Sequence, residues 1–458
     1  MNPVFATAGK TQATPIWFVH GGNFDSVRRD IGEHGRKFLI AAGFEAKAGR
    51  LALLPAADGA LAGAVFGIES SDEAGIDRFR PGQLAGVLPA GIYRFANAPH
   101  DKRLAALAFA LGAYQYARYK KADTRSVRLV IPDGVDGTDL TRIVEGITLC
   151  RDLINTPSND MGPSELETAC RSLAKQHGAK VQVTSGDALA KNFPLVHAVG
   201  AGSARAPRLI DMTWGKASDP KITLVGKGVC FDTGGLDIKP DTGMLNMKKD
   251  MGGAATALAL AHMCMSRGLR VKLRVVIPAV ENSISGTSFR PRDIYASRKG
   301  LSVEIGNTDA EGRLILADAL ALADEDKPAL IADFATLTGA ARVALGPEVA
   351  PFFTDDDALS DELSRAGNAE NDPLWRMPLW RPYEAMLDSK VADLNNVATG
   401  GHGGAITAAL FLRRFVTVKS WVHFDIFAWT ATAKPGRPEG AECQTARALY
   451  ALLCDRYS

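Results

Sequence analysis

Cysteine is scarce in this sequence, and its placement argues against a cysteine-rich metal site. Six cysteines occur among 458 residues, at positions 150, 170, 230, 264, 443 and 454, and none belongs to a CxxC pair. Their spacing also lacks the pattern of a zinc finger. We therefore expect free thiols in a protein of a reducing compartment.

Excess charge and long apolar runs are also missing. Lysine and arginine number 53 against 51 aspartates and glutamates, which gives a formal net charge of +2. This balance provides no electrostatic reason to bind nucleic acid. No apolar run reaches about 18 residues, and the first residues lack a signal-peptide pattern. The sequence predicts a cytoplasmic protein that neither spans a membrane nor has nucleic acid as a partner.

Several common catalytic motifs are absent as well. Gly226-Lys227 suggests a phosphate loop, but the GxxxxGK[ST] pattern fails because Lys221 occupies its first glycine position. The stretch GAGSAR lacks the third glycine of a dinucleotide loop, and neither a GxSxG elbow nor HExxH occurs. The eight histidines are scattered, which is typical of structural residues. Any metal would therefore be held by carboxylates, which suit Mg²⁺ and Mn²⁺ and are accepted by Zn²⁺.

Length and periodicity predict two α/β domains of unequal size. A chain of 458 residues exceeds the usual size of one domain. Strand-like runs at 16–19 and 51–54, with an apolar-periodic helix at 101–119, indicate a small α/β unit. We place an N-terminal α/β domain and linker at residues 1–135 and a larger domain at 136–458.

The larger domain alternates strands with helices. The predicted strands are 180–184, 208–214, 222–226, 271–277 and 329–334, and the predicted helices are 139–153, 252–266 and 313–323. This alternation is typical of a mixed, largely parallel sheet sandwiched by helices. Ligands of such sheets bind at the carboxyl ends of the strands, where we expect two acidic segments.

The first acidic segment is NTDAEGRL, residues 307–314, which places Asp309, Glu311 and Arg313 at alternate positions. One reading is a helix start, because Thr308 followed by Glu311 fits a capping box. The other is a metal site, because side chains two apart in an extended segment point the same way. Taken alone, the octapeptide favours the helix start, since capping matches are common.

The second acidic segment is glycine-rich. Residues 225–255 read VGKGVCFDTGGLDIKPDTGMLNMKKDMGGAA, and glycine permits close approach to a ligand. Among these glycines lie Lys227, Asp232, Lys239 and Asp250. Each has a structural alternative, since Asp250 fits a helix cap, Asp232 fits a turn and lysines are usually solvated. If all of these structural alternatives held, every acid in both segments would have to be unrelated to a metal site.

In their order along the chain, the glycine-rich segment followed by NTDAEGRL, the two segments resemble the leucyl aminopeptidase family. Its members, also called cytosol aminopeptidases, are two-metal exopeptidases. The glycine-rich stretch, NTDAEGRL and ATLTGA at 335–340 carry the resemblance. It continues in INTPSN, MPLWRPY, VADLNNV and GGAITAALFLRRFV followed by WVHFDI, and it covers roughly residues 150–450. The larger domain would accordingly be a catalytic dinuclear-metal peptidase domain.

The resemblance implies a role for each matching residue. The metal ligands would be Lys227, Asp232, Asp250, Asp309 and Glu311. Two divalent ions per subunit, Zn²⁺ or Mn²⁺, would share two of these carboxylates, those of Asp232 and Glu311. A main-chain carbonyl at Asp309 would add an oxygen. A lysine ligand must be neutral, so this assignment of Lys227 rests on the resemblance alone.

The resemblance also implies the catalytic groups and the pocket. Lys239 would stabilise the oxyanion, and Arg313 would hold a bicarbonate ion that acts as general base. The pocket for the N-terminal side chain would be lined by Met247, Thr336, Leu337 and Gly339. These residue types suit leucine or another apolar side chain. The alternative for them, and above all for Met247, is ordinary core packing.

The predicted function is therefore hydrolysis of N-terminal residues from peptide substrates by a metal-dependent aminopeptidase, and the resemblance implies that it assembles as a homo-hexamer. Two alternatives stay open. One keeps the metal site in a dipeptidase that prefers Cys-Gly. The other is a non-catalytic scaffold or nucleic-acid-binding protein that kept the fold, although a disused site would be expected to have lost some of its polar residues.

Overall fold

The computed structural model divides the chain into two compact units. The structure describes residues 3–6, 13–70, 75–121 and 125–458. The first unit consists of Met1–Thr148 and Ala431–Glu439, and the second of Leu149–Thr430 and Gly440–Ser458. The division falls inside the helix Gly137–Asn155, whereas the sequence placed the boundary at 135/136.

The first unit is an α/β unit with one six-stranded sheet in the described part of the chain. In spatial order its strands are Phe5–Ala6, Val127–Val130, Gly91–Phe95, Thr14–Val19, Leu61–Gly67 and Leu51–Pro55. Neighbouring strands are parallel except for the last pair. Its helices are Phe24–Asp30, Gly32–Ala41, Leu84–Val87 and Lys102–Gly112, with a 3₁₀ turn at Arg80–Gln83.

The predicted strands at 16–19 and 51–54 are confirmed, but the helix predicted at 101–119 is too long. Asp101 caps this helix by accepting hydrogen bonds from the N–H groups of Arg103 and Leu104, both at 2.9 Å. The helix ends at Gly112. It ends there because its buried face stops at Leu111, and residues 112–119 are only half-buried or exposed.

The second unit contains the main sheet, which is mixed and largely parallel as predicted. Along the sheet the strands are Leu374–Arg376, Ala350–Phe353, Trp421–Asp425, Leu330–Ala335, Lys221–Gly226, Lys272–Asn282, Arg208–Trp214 and Lys180–Ser185, and Gly228–Asp232 also pairs with Lys272–Asn282. The four central strands, from Trp421–Asp425 to Lys272–Asn282, are parallel. The outer pairs include antiparallel ones.

Helices cover both faces of this sheet. Every residue of the strands Leu330–Ala335 and Trp421–Asp425 is buried, which requires a layer on each side. The helices of the unit are Pro163–His177, Gly186–Asn192, Pro194–Gly200, Asp241–Met244, Gly252–Arg267, Glu311–Glu325, Gly339–Leu345, Asp357–Ala369, Gly404–Arg413 and Ala446–Tyr457. Those predicted at 252–266 and 313–323 are confirmed. Among the described residues, no helix has the length and apolarity needed to span a bilayer.

Smaller elements complete the second unit. Three short strands form a separate sheet, Ile294–Ala296, Ser302–Glu304 and Leu394–Asn395, and Trp429–Thr430 pairs with Gly440–Ala441. Single 3₁₀ segments occur at Met247–Met251, Thr308–Ala310 and Arg381–Leu387. Two of the central strands end at Gly226 and Ala335, immediately before residues of the predicted site.

Candidate metal centre and active site

The segment NTDAEGRL is not extended. Thr308–Ala310 form a 3₁₀ turn, and the helix Glu311–Glu325 begins directly after it. The cap of the turn is Asn307, whose side-chain oxygen accepts a hydrogen bond from the N–H of Asp309 at 2.7 Å. A helix does start here, as one reading predicted, but both the strand geometry and the capping box from Thr308 to Glu311 are wrong.

Thr308 cannot cap the helix because it joins the two acidic segments instead. Its hydroxyl donates to the carbonyl oxygen of Gly234 at 2.7 Å and accepts from the N–H of Asp237 at 2.8 Å. The carboxylate of Asp237 in turn accepts from the N–H of Thr308 at 2.8 Å. These bonds hold the glycine-rich stretch against the start of the helix.

Three carboxylates converge as a result. One oxygen from each of Asp232, Asp309 and Glu311 lies within 4.8 Å of the others. Asp232 and Glu311 are only 2% and 1% exposed, while Asp309 is partly exposed. Asp232 ends the strand Gly228–Asp232, so the first acid comes from the carboxyl end of a strand and the other two from a helix start.

Lys227 connects a fourth carboxylate to this group. Its Nζ lies 2.8 Å from Asp250 Oδ2 and 3.0 Å from Glu311 Oε1. It also donates to the carbonyl oxygen of Thr336 at 2.8 Å. On the other side of the cluster, the Nζ of Lys239 lies 2.8 Å from Asp232 Oδ2 and also contacts Asp309.

The crowding of acids changes their protonation. Burial and the neighbouring Asp232 raise the pKa of Glu311 to about 8, against the opposing effect of Lys227. The same two causes raise the pKa of Asp309 to about 6, and burial raises that of Asp250. Like charges held together favour the protonated form. Divalent cations bound among these carboxylates would instead favour the ionised form.

The donor set fits hard divalent cations. Three carboxylates converge, Lys227 links the carboxylate of Asp250 to them, and Glu311 Oε2 is buried with no hydrogen-bond partner. An oxygen left in this state is costly unless a cation or proton engages it. Oxygen-rich sites of this type suit Mn²⁺ and Mg²⁺ and are accepted by Zn²⁺.

The two lysines are held as cations by the acids around them. Burial alone would lower the pKa of Lys227, but Asp250, Glu311 and Asp232 raise it above its ordinary value. For Lys239 burial is likewise outweighed, mainly by Asp232 and Glu311, and its pKa is raised. The neutral amine that a metal requires from Lys227 can therefore form only when cations neutralise the neighbouring carboxylates.

Arg313 lies in the same cavity but does not contact the acids. Its Nη1 donates to the carbonyl oxygen of Asn396 at 2.8 Å, while its Nε is buried with no hydrogen-bond partner. Burial lowers the pKa of this guanidinium to about 10, so it remains charged at neutral pH. Free donors on a buried arginine provide a site for a small oxyanion.

All site residues predicted from the sequence line one cavity of about 420 Å³. They are Lys227, Asp232, Lys239, Met247, Asp250, Asp309, Glu311, Arg313, Thr336, Leu337 and Gly339. Thr336 does more than line the wall, since its hydroxyl donates to Asp250 Oδ1 at 2.7 Å. It orients a candidate metal ligand.

Sequence reasoning missed two residues that hold the site in place. Asn282, at the end of the long strand Lys272–Asn282, donates to Asp232 Oδ1 at 2.8 Å. Asp425 accepts from the N–H groups of Leu337 and Thr338, both at 3.1 Å, and so fixes the loop beside the cavity. The available signal was position, because both residues end strands of the main sheet.

Comparisons with known proteins agree with this geometry. A family model described as cytosol aminopeptidase family, catalytic domain, matches residues 148–451, and one described as M17 aminopeptidase, N-terminal domain, matches 26–132. A probable cytosol aminopeptidase of Sinorhizobium fredii is 44% identical over 354 residues, covering 72% of this chain and 70% of the relative.

Solved structures are similar over almost the whole chain. The crystal structure of a cytosol aminopeptidase from Coxiella burnetii has a TM-score of 0.95 at 44% identity and covers 99% of this chain and 100% of that one. The bottromycin maturation enzyme BotP in complex with Mn has a TM-score of 0.87 at 30% identity, covering 97% and 100% of the two chains.

Gly312→Ala should destabilise the protein through Lys227. A methyl group at this position would lie 2.7 Å from both Cε and Nζ of Lys227, whose ammonium is fixed by two carboxylates. We expect unfolding to become easier by about 1–3 kcal/mol, although alanine in a helix is otherwise favoured over glycine by about 1 kcal/mol. Chemical denaturation measures the change. Gly286→Ala, which places its methyl group in open space of the same unit, is the control. Equal midpoints for the two variants would contradict this account.

Proposed function

This chain belongs to the cytosol aminopeptidase family, and we propose that it is a metal-dependent aminopeptidase that removes leucine or other apolar residues from the N-termini of peptides. The observation that carries the proposal is the convergence of Asp232, Asp309 and Glu311 within 4.8 Å, in a cavity that also contains two lysines and an arginine. Charged side chains gathered in this way are not needed to stabilise the fold.

We assign two divalent cations, Zn²⁺ or Mn²⁺, to Lys227, Asp232, Asp250, Asp309 and Glu311. Four carboxylates balance the charge of two such ions, and the unpartnered oxygen of Glu311 supports the assignment. The related BotP was solved in complex with Mn. Bound there, the ions would make a water more acidic, polarise the scissile carbonyl and attract the free α-amine, which an internal peptide lacks.

The protein's own charged groups would then act on the substrate. Lys239, on the cavity wall beside Asp232, is placed to donate to the oxyanion that develops on the scissile carbonyl. Arg313 would hold a bicarbonate ion with its free donors, and that ion would accept the proton of the attacking water. No histidine lines the cavity among the described residues, so the base would not be an imidazole.

The N-terminal side chain would lie against the apolar part of the cavity. Met247 and Leu337 supply apolar walls, and Gly339 leaves room for a branched side chain. We further propose that the enzyme acts in the cytoplasm as a homo-hexamer.

Chelation should abolish hydrolysis of leucyl arylamide, and added Mn²⁺ or Zn²⁺ should restore it. Glu311→Ala should lose one or both ions, since it removes two oxygens from the cluster. Metal content by mass spectrometry and arylamide release provide the measurements. Glu325→Ala, at the far end of the same helix and paired with Arg298, is the control and should keep metal and activity. Full activity after chelation would refute the proposed function.

Two lysine variants should separate ligation from catalysis. Lys227→Met should reduce the metal content, because a thioether does not replace the amine that lies among Asp250, Glu311 and Thr336. Lys239→Met should keep both ions but lower kcat by about 10²–10³-fold, the usual cost of losing one oxyanion donor. Metal analysis and kcat of the same preparations test both. Loss of metal in Lys239→Met alone would reverse the two assignments.

The proposed assembly has its own test. Light scattering of the purified chain should give six times the 48.7 kDa of one subunit. A mass of one subunit at micromolar concentration would show that the hexamer is wrong, without bearing on the proposed chemistry.

A further inference from the structure

Two cations of the cavity form no ion pair within the described part of the chain. Lys249 and Arg342 both line the cavity that contains the candidate metal ligands. Among the described residues, neither side chain forms an ion pair or donates a hydrogen bond to another protein group. Lys249 is only 5% exposed, and a buried ammonium without an anion is unfavourable.

One aromatic ring lies beside both cations. The Nζ of Lys249 is 4.6 Å from the ring centroid of Phe427, and the Cζ of Arg342 is 4.8 Å from it. The two charges can therefore be no farther apart than the sum of these distances. Cation–π contacts compensate only part of the hydration that the buried ammonium of Lys249 loses, whereas Arg342 is exposed. The pair is thus a place where an anion would be stabilised.

The two carboxylates whose charge acts on Lys249 are hydrogen-bonded to other groups. Asp250 accepts from Lys227 at 2.9 Å and from Thr336 at 2.7 Å. Asp425 accepts from two backbone N–H groups and from the hydroxyl of Thr338 at 2.6 Å. Neither acid hydrogen-bonds to Lys249 or Arg342, so the anion would have to come from a ligand.

The two cations adjoin the residues assigned to the side-chain pocket. A Cβ at Gly339 would lie 3.5 Å from Nη2 of Arg342, and Met247 precedes Lys249 by two positions on the same 3₁₀ segment. Once two divalent ions balance the four carboxylates, the remaining formal charges on the wall are all positive: Lys239, Lys249, Arg313 and Arg342.

We propose that Lys249 and Arg342 form a carboxylate-binding end of the side-chain pocket, so that N-terminal glutamate and aspartate are substrates as well as apolar residues. The proposal rests on the aminopeptidase function proposed above. The acidic side chain would place its methylene groups against Phe427 and its oxygens at the two cations. Charge-assisted bonds of this kind have lengths of about 2.7–2.9 Å.

The test compares arylamides of glutamate and glutamine, which have nearly the same shape and differ in charge. We expect kcat/KM for the glutamyl substrate to exceed that for the glutaminyl one by at least about tenfold, corresponding to one charge-assisted bond. Lys249→Met and Arg342→Met should each reduce this ratio by about tenfold. Arg342 is exposed, so it can be replaced by glutamate. Arg342→Glu should reverse the charge preference, so that lysyl arylamide is cleaved better than glutamyl arylamide.

Lys248→Met is the matched control. Its ammonium donates to the carbonyl oxygen of Asn155 at 2.7 Å and does not line the cavity, so the ratio should stay at its wild-type value. A wild-type ratio near one, or a ratio unchanged in the Lys249 and Arg342 variants, overturns the subsite while leucyl arylamide is still cleaved. Failure to cleave any arylamide overturns the aminopeptidase function itself, and the subsite with it.

A second comparison excludes another use of the same charges. The same two cations could instead bind the C-terminal carboxylate of a dipeptide. In that case the Lys249 and Arg342 variants would no longer distinguish Leu-Gly from its C-terminal amide, but they would keep the preference for glutamyl over glutaminyl arylamide. That result would overturn the proposal. Equal effects of the variants on Leu-Gly and its amide, with loss of the glutamyl preference, support it.

Discussion

Four carboxylates, three of them buried, lie close enough to repel one another, and two lysine ammonium groups between them hold the cluster together. Lys227 joins Asp250 to Glu311, and Lys239 joins Asp232 to Asp309. Removing one partner from such an arrangement leaves uncompensated buried charge, which costs more than the pair itself contributes. The fold therefore keeps a cluster that is poor for stability alone, which is consistent with a site retained for chemistry.

Close packing of the backbone brings Lys227 to this position. Its N–H donates to the carbonyl oxygen of Phe334 and its carbonyl accepts from the N–H of Ala254, both at 2.9 Å. A Cβ at Gly253 would lie 2.0 Å from the Phe334 oxygen, so only glycine lets the helix start approach the strand ends. Gly312 has the same role for the Lys227 side chain. These two glycines thus allow close contact between chain segments, and neither of them lines the cavity.

Sequence patterns predicted the alternation of strands and helices well, because the central strands are continuous apolar runs. The residues predicted for the site line one cavity and their roles stay predictions, although for NTDAEGRL the geometric reason was wrong. Asp309 and Glu311 come together through a 3₁₀ turn followed by a helix start, and the segment is not a strand. Asn282 was missed because the strand that it ends was predicted only to residue 277, and because its role depends on contact with Asp232, which lies 50 positions away in the sequence.

Lys249 shows the same limit for function. In sequence it is one of two adjacent lysines, and nothing local separates it from Lys248. The 3₁₀ segment Met247–Met251 directs one ammonium to the carbonyl oxygen of Asn155 and the other into the cavity. A lysine whose ammonium has a protein acceptor is satisfied by it, whereas a buried ammonium without an acceptor is unfavourable until an anion binds to it. Apolar walls and unpaired cations in one cavity are compatible, because a glutamate side chain offers methylene groups to the first and a carboxylate to the second. Selectivity for the N-terminal side chain would then depend on whether that side chain carries a carboxylate that reaches the two cations beside Phe427.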